Sequence, residues 1–328
     1  MMATAGLKWC APLVLALGLA LPAAQAAPGD ILSNQDAAQL LNRMARAPQD
    51  VSYQGVYIHQ FVDRMEAVRV VHIRDGSFEA ERRESLDGSP REYLRQGDQV
   101  SLFLPENGQI SLDRHHTSKL FPRQLPDQPE QLLAGYQIRQ LGRERVAGLE
   151  TEIYDFEPRD KLRFLHRFWI HPESGLTLKA AMFGQKRELM DLQVFSQVQV
   201  GGAISRKLLR PAHPLKPVPI EASGVSGGLP DKQLDVRAVP QGFQLLRQVQ
   251  RPMVVHGKPV THQLFSDGLV SVSVFIEPYD GKVPLGLADQ GPVNLYSRQV
   301  GPYLVTVLGE VPAETVQVFA GVYQWKSR

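Results

Sequence analysis

Residues 53–104 read YQGVYIHQFVDRMEAVRVVHIRDGSFEAERRESLDGSPREYLRQGDQVSLFL. Apolar and polar residues alternate along Tyr53–Phe61, Ala67–Arg74, Phe78–Leu86, Glu92–Gln96 and Gln99–Leu104, which is the two-residue period of strands. Between them fall Asp75-Gly76, Asp87-Gly88 and Gly97-Asp98. Such pairs tolerate the left-handed backbone of tight turns, so neighbouring strands pair antiparallel. A sixth strand, Gln109–Asp113, follows a fourth such signal at Asn107-Gly108.

The pattern extends in both directions. Upstream, Asp36 to Ala47 places Leu40, Leu41 and Met44 on one helical face, with Ser33, Asn34 or Asp36 as the N-cap. Downstream, a Pro-rich crossing from His115 to Pro129 leads to a short helical stretch, Glu130–Ala134. Strands resume at Tyr136–Arg143, Glu150–Glu157, Leu162–His171, Leu176–Phe183 and Glu188–Val200, with Pro172-Glu173-Ser174-Gly175 as a turn. Eleven strands with two helical pieces predict one large antiparallel meander, and a sheet that size must curl to bury its inner face. The expectation is a half-open barrel with helices in its mouth, enclosing an apolar cavity large enough for acyl chains. A filled core without a cavity is the alternative.

Arg210 to Asp231, RPAHPLKPVPIEASGVSGGLPD, breaks the strand pattern. Its prolines deny it ladder hydrogen bonds, and its glycines loosen it. It reads as a linker over 209–230 that lets the flanking parts change their mutual angle. The expected division is a signal peptide over 1–26, a lipid-binding domain over 27–208, the linker, and a small domain over 231–328. In the small domain, Phe243–Gln250, Val260–Ser266, Leu269–Glu277, Val293–Val300 and Tyr303–Leu308 read as strands. Asp267-Gly268 reads as a two-residue hairpin turn. Val311-Pro312-Ala313 starts a helix whose core face is Val316, Phe319 and Ala320. The fold class is mainly β (α+β).

At the N-terminus, one lysine, Lys8, precedes the apolar run Trp9 to Leu21, and Ala24-Gln25-Ala26 follows. A run of 13 residues is too short for a bilayer, which needs about 20, so it reads as a secretory signal cleaved near Ala26. The sole cysteine, Cys10, lies inside it. The mature chain of 302 residues (328 minus 26) is then exported and thiol-free, with net charge +1 (35 basic, 34 acidic). That balance gives no support for nucleic-acid binding. Without cysteine there is neither a thiolate nucleophile nor a cysteine-ligated zinc.

Catalytic patterns are sparse. Gly224-Val225-Ser226-Gly227-Gly228 fits the G-x-S-x-G nucleophile elbow, but its Pro- and Gly-rich flanks lack the strand and helix that pin such a turn. The nine histidines show no ligand spacing: His115 and His116 are adjacent, His166 and His171 sit five apart on one strand, and His256 falls in a turn. No metal and no cofactor is expected. Arginines are the richer signal. Arg82, Arg83, Arg91 and Arg95 fall on neighbouring strands, as do Arg139, Arg143 and Arg145, and Arg159, Lys161, Arg163 and Arg167 form a third group. Interleaved glutamates make a solvated, mutually paired surface the plain reading. The sharper one has arginines, Arg82 and Arg83 foremost, ringing a cavity mouth and binding lipid phosphates. Phe103, Phe121, Phe164, Phe168, Trp169 and Met182 are core residues of which some would line that cavity.

Several short motifs occur in order across the chain. They are Leu132-Leu133-Ala134-Gly135-Tyr136, Arg145-Val146-Ala147-Gly148, Pro158-Arg159-Asp160, Phe168-Trp169-Ile170 and Ser174-Gly175-Leu176. Beyond the linker come Val239-Pro240-Gln241-Gly242-Phe243, Leu264-Phe265-Ser266-Asp267-Gly268-Leu269 and Gly309-Glu310-Val311-Pro312. Together they resemble the RseB/MucB family of periplasmic regulators of the envelope-stress sigma factor. The resemblance implies that the larger domain is of the LolA/LolB lipoprotein-carrier type. It implies that the smaller one contacts the periplasmic segment of a MucA/RseA-like anti-sigma factor, for which Phe243, Leu264, Phe265 and Leu269 are the candidate contacts. It further implies shielding of that segment from site-1 proteolysis, and release by lipopolysaccharide or another acylated lipid. A second copy of the chain is a further candidate partner. A lipid or lipoprotein carrier and an exported hydrolase are the competing readings. The first needs no partner-binding domain; the second needs Ser226.

Overall fold

The computed structural model describes residues 29–97, 99–103, 112–113, 120–217, 220–221, 227–252 and 259–326. Residues 1–28, with Cys10 and Ala26 and the expected signal segment, and also His115, His116, Ser226 and His256, lie outside the described residues.

The strands are, in chain order, β1 Tyr53–Phe61, β2 Arg64–Asp75, β3 Phe78–Ser85, β4 Glu92–Gln96, β5 Gln99–Phe103 and β6 Leu112–Asp113. Next come β7 Tyr136–Val146, β8 Leu149–Pro158, β9 Leu165–Ile170, β10 Thr177–Phe183 and β11 Leu189–Val200. The linker adds β12 Lys216–Pro217 and β13 Ile220–Glu221. The C-terminal part holds β14 Leu234–Val236, β15 Gln244–Pro252, β16 Pro259–Ser266, β17 Ser271–Pro278, β18 Gly286–Gln290, β19 Val293–Val300, β20 Tyr303–Gly309 and β21 Tyr323–Trp325.

The first sheet is antiparallel, with order β12-β5-β4-β3-β2-β1-β11-β10-β9-β8-β7, and it is not closed. It is two meanders rather than one. The chain runs outward from β1 to β5, crosses to the far edge at β7, and returns inward until β11 pairs with β1, Tyr53 opposite Val200. The crossing threads Phe121, Leu125 and Leu132 into the core. Beside it lies helix α1, Asn34–Asp50, whose N-cap Ser33 accepts a hydrogen bond from the Asp36 amide at 3.1 Å. Leu40, Leu41 and Met44, spaced to share one face, are buried against Tyr53, Phe156 and Phe195. Helix and crossing together contribute to the core of this sheet.

Both free edges are covered, which matters because an exposed edge invites pairing with other chains. On β7, the Leu32 amide donates to Ile138 O and the Gln140 amide to Asp30 O, both at 2.9 Å. On β5, β12 pairs antiparallel, Lys216 opposite Leu102. The linker is therefore not without ladder bonds. It adopts two short strands, since β13 also pairs with β6, and proline at a sheet edge is tolerated because its missing N–H faces away from the ladder.

The second sheet has order β15-β16-β17-β20-β19-β18. Helix α2, Ala313–Gly321, covers it; Val316, Phe319 and Ala320 are fully buried, with Phe265 and Phe243 packed on the Phe319 ring. The loop between β16 and β17 spans Asp267 to Val270, four residues where sequence predicted two. The extra two are used: the Asp267 carboxylate caps the Leu269 and Val270 amides, each at 2.9 Å.

Candidate functional site

The two sheets meet at Arg163. The loop carrying it, between β8 and β9, is shaped by Asp160, which accepts the Leu162 amide at 2.9 Å. Arg163 thereby leaves the first sheet and enters the second, with a fully buried side chain. Its Nε donates to Asp267 Oδ2 at 2.6 Å, its second nitrogen to Asp160 Oδ2 at 2.5 Å, and its third to Gln241 O at 2.7 Å. The guanidinium lies 4.4 Å from the Phe243 ring centroid. Burial alone would lower its pKa, but the Asp267 carboxylate overrides that and raises it. Glycines make room for this approach. A Cβ on Gly135 would stand 2.6 Å from Arg163 Nε, and one on Gly242 2.9 Å from its terminal nitrogen. Thr315 Oγ1 adds a hydrogen bond to Leu162 O at 2.8 Å. A fixed, desolvated ion pair thus sets the relation of the two sheets.

Beside this brace a half-open cavity of about 550 Å³ lies between the sheets. The first sheet contributes His59, Phe61, His166, Phe168, Met182 and Asp191; the crossing contributes Gln124; the second sheet and the segment after it contribute Leu269, Leu308 and Glu310. His59 Nε2 lies 2.7 Å from Asp191 Oδ2. Burial would lower the His59 pKa, yet the Asp191 hydrogen bond and charge, with Glu66 and Glu310 further off, leave it raised. Gln124 Nε2 donates to Gln193 Oε1 at 2.9 Å, while its buried Oε1 has no hydrogen-bond partner. Among the described residues, no group of His, Cys, Asp and Glu is arranged to hold a metal ion.

The sequence candidates distribute unevenly over this geometry. Phe168, Met182 and Leu269 line the cavity. Phe121 and Trp169 are core residues of the first sheet; Trp169 Nε1 donates to Glu144 Oε2 at 2.5 Å. Phe164 is buried too, and Phe103 is half-buried, stacked on His213 with centroids 4.3 Å apart. Arg82 and Arg83 are not at a mouth. Adjacent on β3, they point to opposite faces, and each is buried in an ion pair: Arg82 Nε with Glu92 at 2.5 Å, Arg83 Nε with Glu81 at 2.7 Å. Arg83 also donates to Phe121 O at 2.5 Å, and it holds the Glu81 carboxyl down to about 2 against the upward pull of burial. Their donors go to tying strands, crossing and linker together. Phe243, Leu264 and Phe265 are 3–5% exposed and form the interior of the second unit rather than its surface.

The residues that sequence reasoning missed are those that join the sheets. Arg163 was one arginine in a charged group, and Asp267 was half of a turn signal; 104 residues separate them. The only trace was that both fall inside motifs or clusters already singled out. His59 and Asp191 carried no motif at all.

Two family models match the chain: MucB/RseB N-terminal domain over residues 36–213, and MucB/RseB C-terminal domain over 229–323. Among curated proteins, the "Sigma factor AlgU regulatory protein MucB" of Pseudomonas aeruginosa is 30% identical, covering 93% of this chain and 94% of its own length. The "Sigma-E factor regulatory protein RseB" of Escherichia coli K12 is 23% identical, covering 86% and 88%. Among solved structures, the complex of Pseudomonas aeruginosa MucA and MucB matches with a TM-score of 0.73 at 26% identity, covering 89% of this chain and 100% of that one. A crystal structure of MucB matches with a TM-score of 0.60 at 25% identity, covering 89% and 98%.

Proposed function

This chain belongs to the MucB/RseB family, and on that premise we propose that it is a periplasmic negative regulator of sigma-E/AlgU-type signalling. It binds the periplasmic segment of a membrane-anchored, MucA/RseA-like anti-sigma factor and shields it from site-1 proteolysis. It acts by binding, not by catalysis. The observation that carries this reading is the match over both parts of the chain to proteins named as sigma-factor regulators. The likeness over 89% of the chain to MucB in complex with MucA, with a TM-score of 0.73, supports the anti-sigma partner. We further propose the division into a signal peptide over 1–26, a first domain over 27–208, a linker over 209–230 and a second domain over 231–328.

Release by lipopolysaccharide or another acylated lipid completes the proposal. Burying an acyl chain contributes about 0.8 kcal/mol per methylene. A lipid that bound the unbraced form better would shift the balance away from the partner. Phe168 and Met182 support the cavity beside the brace as an entry point. The test is a protection assay with purified mature protein, the anti-sigma segment and the site-1 protease. Cleavage should slow when the protein is added and recover with lipopolysaccharide; unchanged cleavage in its presence would overturn the reading.

A further inference from the structure

We propose that two hairpin tips form a latch at one end of the cavity between the sheets, and that an acyl chain enters where they part; this rests on the lipid reading above. The register across the first sheet fixes where each end lies. Phe61 on β1 stands opposite Asp191 on β11, Asp191 opposite Met182 on β10, and Met182 opposite His166 on β9. All four line the cavity. At about 4.8 Å between neighbouring strands, three spacings make its floor about 14 Å wide. His166 follows the loop that carries Arg163, so the brace stands at the β9 end. Phe61 leads into Val62, so the β1–β2 turn, Val62-Asp63, stands at the other.

The second sheet meets that turn. Gly291, in the β18–β19 turn beside the cavity-lining Val293, faces Val62. A Cβ on Gly291 would lie 3.5 Å from Val62 Cβ and would collide with Val62 Cγ2. Glycine lets the tips come this close, and its φ of +61° asks for glycine a second time. Val62 itself has φ +58°, the left-handed region that suits a β-branched residue least. Such strain persists while neighbours hold it and is released when they withdraw. The two ends of the cavity thus differ in kind. The brace is a desolvated, hydrogen-bonded ion pair, whereas the latch is a strained apolar contact with Val62 45% exposed. The latch parts first, and the second sheet swings about Arg163 to admit an acyl chain against Phe61, Phe168 and Met182.

The test uses protein spanning residues 27–328, which carries no cysteine, with Val62→Cys and Gly291→Cys introduced together. The Cβ separation of 3.5 Å falls at the near end of the span of a disulfide, about 3.5–4.5 Å, so the pair should oxidise in air. Stopped-flow fluorescence then follows uptake of dansyl-undecanoic acid. Oxidised protein should take up the probe about tenfold more slowly than wild type, and dithiothreitol should restore the rate. Val62→Gly relieves the strain and removes the contact without altering a lining residue, so it should speed uptake about threefold. Equal rates for oxidised and reduced protein, or a cysteine pair that does not oxidise, would overturn the latch and leave the lipid reading standing. No uptake by wild type would remove the lipid reading and this inference together.

Discussion

Arg163→Met removes one half of a buried ion pair and leaves Asp267, 2% exposed, without its counterion. Breaking such a pair costs about 3–5 kcal/mol, because the surviving charge stays desolvated. The Asp267 carboxylate keeps the Leu269 and Val270 amides, which offsets part of that. Loss of the contact over Phe243 adds about 1 kcal/mol. The terms are coupled, so a net cost of about 3 kcal/mol is expected, which at 1.4 kcal/mol per tenfold is roughly a 100-fold shift toward the separated arrangement. The mature chain reports on this directly, since Trp169 lies in the first sheet and Trp325 at the end of the second unit. In urea, single-tryptophan versions of wild type should show nearly coincident transitions; Arg163→Met should split them, with Trp325 moving to lower urea. Arg163→Met/Asp267→Leu should recover most of the loss, because the stranded charge is gone. A shift below about 0.5 kcal/mol for the single variant, or a double variant as weak as the sum of the singles, would refute the brace.

Gly268 has φ +104°, and a Cβ there would meet Gln131 Nε2 at 2.7 Å and Pro126 Cγ at 3.0 Å, so Gly268→Ala should cost about 1–3 kcal/mol in urea unfolding. Glu81 has a depressed pKa, so its stabilisation is present above the unfolded value of 4.5 and is lost as pH falls toward about 2. Across that window wild type should lose about 3 kcal/mol that Glu81→Gln never had, read as a flatter dependence of melting temperature on pH. Glu92 accepts the Ala212 and His213 amides, both at about 3.1 Å, besides Arg82. Glu92→Ala should unlatch the start of the linker and speed limited proteolysis within residues 209–230; an unchanged cleavage rate would speak against the latch.

The strands were legible because their information is local. Tyr53–Phe61, Glu92–Gln96 and Val293–Val300 have the expected bounds, since alternation and Gly turns fix both period and ends. The pairing of β1 with β11 was not legible, because it follows from a crossing that returns the chain to its starting strand. The short strands β14, β18 and β21 were missed for want of a run long enough to show a period. The site was the least legible part. Arg82 and Arg83 drew attention as charge, but burial turned them into struts, and only three-dimensional proximity distinguishes them from Arg163. His59, Asp191 and Gln124 are each unremarkable on their own strand or loop, and become a site when a second sheet closes over them.

The most direct test of the account is capture with the mature protein from detergent-solubilised envelope, followed by mass-spectrometric identification of what it holds. A membrane-anchored anti-sigma factor of the MucA/RseA type should be recovered, and should elute when lipopolysaccharide is added. Recovery of lipids or lipoproteins with no anti-sigma factor would contradict the account and favour a carrier.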